Sequence, residues 1–180
     1  MDRLTKEQGL ELLHEYGTPD HVIRHCQAVT DAALAVAGEL NRCGKNFDLE
    51  VIEGAGIIHD IARVEDEHWK KGAEYARSLG LDDEAAIIEQ HMHHRFNDFE
   101  EFDETDIVCL ADRTVMEDQY VGLERRIVYL MDKARRNGLP EEDVLGIRTR
   151  MEKNQTYIDS IEQLTGKSLS EICSEVGNYE

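Results

Sequence analysis

Between Val22 and Leu40, apolar residues return every three or four positions: Val22, Cys26, Val29, Ala33, Val36 and Leu40. A stripe with this period lays one apolar face along a helix and requires other helices to cover it. The same rhythm recurs in Val51, Ile52, Ala55 and Ile58, and again around Ile87 and Ile88. No stretch alternates apolar and polar residues for long enough to make a strand. The expected fold class is all-α, a helical bundle.

Capping signals divide that bundle. Thr5-Lys6-Glu7-Gln8 has capping-box spacing and opens a short helix that stops near Gly17. Thr18-Pro19 reads as an N-cap followed by proline at the first helical position. The helix carrying the long stripe then ends at Gly44. Asp48 is expected to cap a third helix running into His59-Asp60. A fourth spans about His68 to Leu79, and a fifth starts at Asp82 or Asp83 and reaches His91. Further helices are expected around Ile107 to Asp112 and from Gly122 to Arg136. One long amphipathic helix should follow Gly138-Leu139-Pro140 and reach Leu164, and a second capping box at Ser168-Leu169-Ser170-Glu171 starts a terminal helix. The acidic stretch Asn97 to Asp103 reads as a solvated connection, with a lid that rejects highly charged or polymeric substrates as its alternative role.

The 180 residues suffice for one domain with a full core. Their net charge of −19, from 39 acidic and 20 basic residues, repels nucleic-acid backbones and anionic membranes, so neither a duplex nor a membrane surface is an expected partner. It also opposes phosphorylated metabolites, although bound divalent ions and screening within ~8 Å at physiological salt weaken that opposition. Residues Met1 to Glu7 carry no apolar leader core, and no segment reaches membrane-spanning length. Cys26, Cys43, Cys109 and Cys173 lie far apart with no C-x-x-C spacing. They read as reduced thiols of a cytoplasmic protein, with Cys26 and Cys109 in the core.

The chemistry gathers in histidines and aspartates placed against apolar stripes. His25 borders the stripe between Val22 and Val29. His59-Asp60 follows Ile57-Ile58 and precedes Ile61-Ala62, and Asp112 follows Val108-Cys109-Leu110-Ala111. A lone ring beside a stripe, such as His14, is ordinarily a core or surface residue with a satisfied hydrogen bond. An imidazole and a carboxylate side by side in an apolar run cost desolvation unless a cation binds them. One divalent ion removes all these costs together, and nitrogen with carboxylate oxygen suits Fe, Mn, Co, Ni or Zn. His93 and His94 read as solvated or supporting rings.

The order His25, His59-Asp60, Asp112 resembles the HD phosphohydrolase superfamily. Gly56 to Arg63 (GIIHDIAR) resembles its LLHDIG(K/R) segment, with Ala62 standing where many relatives carry glycine. His68 to Glu74 is similar to HxxxGAE, Leu79-Gly80-Leu81 with Ile87 to His91 to LGL…IIExH, and Leu110 to Arg113 to ADR. The likeness covers about residues 18–135. It implies an HD-type hydrolase domain over 1–136, with 137–180 as a helical extension packed on the same domain. It implies metal ligands His25, His59, Asp60 and Asp112, and a second ion held by His68 and His91 with Asp60 as the bridge. The cofactor is then one or two divalent transition-metal ions, and the activity a phosphomonoesterase or phosphodiesterase on a small phosphorylated metabolite or nucleotide. Asp60 and Arg63 are the expected catalytic residues, and Arg63, Lys71 and Arg113 the expected substrate contacts; self-association as a homodimer stays open. A di-iron oxygenase and a non-catalytic, metal-stabilised regulatory module are the competing readings.

Overall fold

A computed structural model describes residues 3–177 and Tyr179. Met1 and Asp2, part of the segment read above for a leader, lie outside the described residues.

The caps fall where short polar side chains precede apolar runs. Helix α1 (Lys6–Tyr16) opens on the Thr5/Gln8 capping box and closes on Gly17, whose φ of 83° a side chain would disfavour. Helix α2 (Asp20–Arg42) carries the long stripe and buries Cys26, Val29, Ala33 and Leu40 along it. Helix α3 (Leu49–Ile58) starts where the Asp48 carboxylate accepts the Glu50 and Val51 amides. Helices α4 (His68–Ser78) and α5 (Asp82–Gln90) form an antiparallel pair beside it. Helix α6 (Glu104–Asp112) opens on an Asp103/Asp106 capping box, and α7 (Leu123–Arg136), α8 (Glu141–Glu152), α9 (Gln155–Thr165) and α10 (Leu169–Ile172) complete the chain. The molecule is all-α apart from one two-stranded hairpin, and no helix among the described residues is long and apolar enough to cross a membrane.

Three details depart from the sequence expectation. Thr18 does not cap α2: its hydroxyl donates to the Ile61 carbonyl at 2.7 Å, because the turn after α3 leaves that buried oxygen without a helical partner. The expected single helix from 141 to 164 is two, α8 and α9, broken where Asn154 turns inward and accepts from Arg113 at 3.1 Å. Strands β1 (Val115–Met116) and β2 (Gln119–Tyr120) pair antiparallel, too short to leave an alternation in the sequence.

Two apolar clusters fill the interior. One joins α1, the start of α2, the end of α3, α4 and α5 through residues such as Leu13, Cys26, Ile57 and Ile88. The other joins the rest of α2 to α6, α7 and the C-terminal helices, where Val144, Ile161 and Leu169 share one cluster with Ala33, Leu110 and Ile127. The acidic connection keeps Asp98, Glu100, Glu101 and Asp103 exposed, as a solvated stretch should, while its aromatic flank is anchored to the core. Phe96 and Phe102 pack on Tyr157 with ring centroids 4.8 and 5.1 Å away, and Lys45 donates to the Phe99 and Glu100 carbonyls. Cys26 and Cys109 are buried, and all four cysteines are free thiols.

Helix α3 is approached closely from two sides. A Cβ on Gly9 of α1 would lie 2.2 Å from Ile57 Cγ2, and one on Gly56 would lie 3.0 Å from Thr30 Oγ1 of α2. Helix propensity alone favours alanine at position 9 by about 1 kcal/mol. Overpacking against the fully buried Ile57 acts the other way and more strongly. Gly9→Ala is expected to lose about 1–3 kcal/mol, seen as a melting temperature lowered by roughly 3–10 °C in circular dichroism.

Candidate metal centre

Five helices bring residues at or near their ends to one place. His25 lies in the second turn of α2, His59 and Asp60 in the turn that closes α3, His68 at the start of α4, His91 just past α5, and Asp112 at the end of α6. His59, Asp60, His68 and His91 are buried, while His25 and Asp112 are partly exposed.

The backbone fixes which ring nitrogen faces inward. His59 Nδ1 donates to the Gly56 carbonyl at 2.8 Å and His91 Nδ1 to the Ile88 carbonyl at 2.7 Å. Each bond also satisfies a carbonyl that the helix end leaves unpaired. His25 Nδ1 donates at 2.8 Å to the Glu117 carbonyl, in the tight turn of the β1–β2 hairpin. A carbonyl oxygen can only accept, so all three rings keep hydrogen on Nδ1 and point Nε2 at the centre. Arg63 Nη1 donates to His68 Nε2 at 3.1 Å, which marks that nitrogen as a lone pair too.

The Asp60 carboxylate stands between two sets of these nitrogens. Its Oδ2 is 3.8 Å from His59 Nε2, whereas its Oδ1 is 3.3 Å from His68 Nε2 and 3.4 Å from His91 Nε2. His25, His59 and Asp60 form one group whose ligand atoms lie within 4.8 Å of each other, and Asp60, His68 and His91 form a second. Asp112 Oδ1 lies 3.0 Å from His25 Nε2. Ligand atoms each about 2.1 Å from an ion lie roughly 3–4 Å from one another, so these separations suit a coordinated ion. Three buried polar atoms meet here with no hydrogen-bond partner: His59 Nε2, Asp60 Oδ1 and His91 Nε2. Orphaned lone pairs facing one another, on imidazole and carboxylate, form a donor set for a divalent first-row metal.

The proton affinities follow from this crowding. Burial pushes the His59 ring down to about 4, so it is neutral at any physiological pH. Burial also acts to lower His25 and His91, but the facing carboxylates, Asp112 for His25 and Asp60 for His91, outweigh it and raise both. Against a burial that would raise them, the neighbouring rings hold Asp60 and Asp112 well below the usual carboxylate range. Without metal, a proton separates the lone pairs of His25 and Asp112.

A cavity of about 620 Å³ opens onto this centre, lined by His25, Asp60, His91 and Asp112 together with Arg24, Arg63, Arg126 and Lys133. Arg63, read from the sequence as a phosphate contact, lies in that wall, with Nε 3.5 Å from Asp60 Oδ2. Lys71 and Arg113 do not. Lys71 projects from the outer face of α4 and pairs with Glu65 at 2.8 Å. Arg113 turns towards the α8–α9 junction, donates to Asn154 and to the His94 carbonyl, and lies over the Phe96 ring. The acidic connection 97–103 is absent from the cavity wall, which removes the basis for a lid. His94 bonds the buried Asp106 at 2.7 Å, and His93 meets the edge of Trp69, so both act as supports.

Arg24, Arg126 and Lys133 were not among the expected substrate contacts. Arg126, Tyr129, Leu130 and Lys133 recur at helical spacing in the sequence, yet cations on the polar face of a helix usually meet solvent. The Glu117 carbonyl left no sign, because a main-chain oxygen has no residue type.

Residues 22–137 match the HD domain family. The chain belongs to it. Two relatives of this HD domain share about half of the chain. One is a tRNA (cytidine(56)-2'-O)-methyltransferase of Thermoplasma volcanium, 34% identical over 91 residues, which are 48% of this chain and 25% of that protein. The other is an uncharacterized protein of Methanocaldococcus jannaschii, 36% identical over 90 residues, which are 48% of this chain and 53% of that protein. The matched region thus spans a quarter and about half of the lengths of these relatives. No solved structure gives a significant match.

The donor set predicts how the HD domain answers metal. Wild type is expected to retain up to two equivalents of Mn or Fe after dialysis, His68→Ala or His91→Ala one, and Asp60→Ala neither, as read by elemental analysis. Since the metal-free forms of His25 and His91 hold protons more tightly than a free imidazole, binding must expel them. Calorimetry in buffers of different ionisation enthalpy should show proton release on binding, with affinity already falling as pH drops towards the ordinary imidazole value of 6.5, because both rings hold their protons above it.

Proposed function

We propose that this HD domain is a metal-dependent phosphohydrolase acting on a small phosphorylated metabolite or nucleotide. The observation that carries the reading is the joining of two kinds of group in one cavity: the His/Asp donor set at its floor, and the cations of Arg63, Arg126 and Lys133 in its wall. In a chain of net charge −19, such a wall offers a local destination for an anion.

His25, His59, Asp60 and Asp112 would hold one divalent ion, and His68 and His91 a second that shares Asp60. Such ions lower the pKa of a bound water and polarise a phosphoryl oxygen. The protein's own contribution is placement. Main-chain carbonyls hold the Nδ1 protons of His25, His59 and His91, so these rings cannot rotate their Nε2 away. Arg63 and Arg126 flank the carboxylates from two sides, with Arg126 Nη2 3.9 Å from Asp112 Oδ1, and both can neutralise a phosphoryl group. The methyl transfer in one relative's name is not carried over, because the match covers a quarter of that protein.

The test is a panel of phosphate mono- and diesters with Mn, Co, Fe, Ni or Zn, with Asp60→Ala as control. At least one ester should turn over only with metal and only with Asp60 present. Arg63→Ala should lower kcat/KM about 10–1000-fold, the cost of removing one well-placed electrostatic group. Wild type and Asp60→Ala equally inactive with metal still bound would end the hydrolase reading in favour of a regulatory module. Turnover that demands both iron and oxygen would make the protein an oxygenase instead.

A further inference from the structure

Helix α7 presents two faces of different chemistry. Leu123, Ile127, Met131 and Ala134 are buried in the core. Arg126, Tyr129, Leu130 and Lys133, at positions i, i+3, i+4 and i+7, form an adjoining stripe along the cavity. Arg126 marks the metal end of this stripe, 3.9 Å from Asp112. Lys133 lies seven residues on, roughly 10 Å further along the helix axis. Between them on the helix lie Tyr129 and Leu130, and Val22 and Met92 add apolar surface to the same cavity.

The two cations differ in their surroundings, Arg126 being half-buried and Lys133 exposed. Arg126 Nε is buried without a hydrogen-bond partner. Lys133 has no carboxylate within 4.0 Å among the described residues, in a chain where acids outnumber bases 39 to 20. By contrast, Arg24 in the same wall already faces Asp118 at 3.6 Å. Glu117 and Asp118 also line the cavity, on the hairpin side.

We infer that the cavity takes an ester anionic at both ends: its phosphate at the metal centre between Arg63 and Arg126, its organic body along Tyr129 and Leu130, and a second phosphate or a carboxylate on Lys133. The assignment of the first end rests on the phosphohydrolase reading; that of the second rests on Lys133 alone. A one-ended ester leaves the Lys133 ammonium without a counter-charge. A two-ended one gains a charge-assisted contact there.

The experiment compares matched probes that differ only in the second group. Adenosine 3′,5′-bisphosphate against adenosine 5′-monophosphate tests a second phosphate, and 3-phosphoglycerate against glycerol 3-phosphate tests a carboxylate. Binding is measured by calorimetry on protein without added metal, and turnover separately with Mn. In at least one pair, the two-ended probe should bind about tenfold more tightly. Lys133→Ala should collapse that ratio to about one through KM rather than kcat, and Lys133→Arg should restore it. Lys133 is exposed on its helix, so its removal should leave the circular dichroism spectrum unchanged. Ratios near one in both wild-type pairs, absence of binding, or a ratio that survives Lys133→Ala would each overturn the inference. A Lys133-dependent preference in binding with no hydrolysis of any ester would remove the hydrolase reading and leave the two-ended site standing. Hydrolysis without preference would do the reverse.

Discussion

Asp60, 4% exposed and walled by the rings of His59, His68 and His91, is the most demanding placement in this fold. Moving a carboxylate into such surroundings costs several kcal/mol unless charge and hydrogen bonds compensate. Compensation here depends on ring orientation, and ring orientation depends on where α3 and α5 stop. Each ends one residue before a histidine whose Nδ1 reaches back three positions to a terminal carbonyl. The bundle is therefore arranged so that the C-terminal ends of α3 and α5 converge. The packing of α3 against Gly9 on one side and Thr30 on the other holds that geometry in place.

Much of the centre was legible because its residues are out of place in an apolar sequence. His59-Asp60 between isoleucines, and Asp112 after four apolar residues, are expensive unless they serve a bound ion. That physical oddity is visible without a structure. His68 and His91 carry less of it and needed the resemblance to known segments. Cations fared differently. Lys71 and Arg113 were chosen for nearness in sequence to site residues, but one turns to solvent and the other knits Phe96 and Asn154 together. Lys133 looks like any lysine on a polar helix face until tertiary packing brings that face to the cavity. In the fold, capping boxes located α1 and α10, while the α8–α9 break was hidden because Arg113, forty-one residues earlier, is what draws Asn154 inward.

Net charge was the weakest guide to function. A value of −19 describes the field felt several ångströms from the surface, where salt screens it. Within the cavity the relevant quantities are which cations face inward and which of them already have partners. Arg24 is engaged by Asp118, whereas Lys133 has no carboxylate within 4.0 Å among the described residues.

The hairpin between α6 and α7 has only two residues in each strand, yet its Glu117 carbonyl is what orients His25. The orienting atom belongs to the main chain, in a turn where Glu117 has a φ of 54°. Any side chain that tolerates a left-handed backbone can occupy position 117 without disturbing the ring. Inserting or deleting one residue in the turn cannot be tolerated in the same way, because it would carry the oxygen out of reach. The constraint on this loop is one of length and not of composition, and it is invisible to any comparison that scores residues by identity.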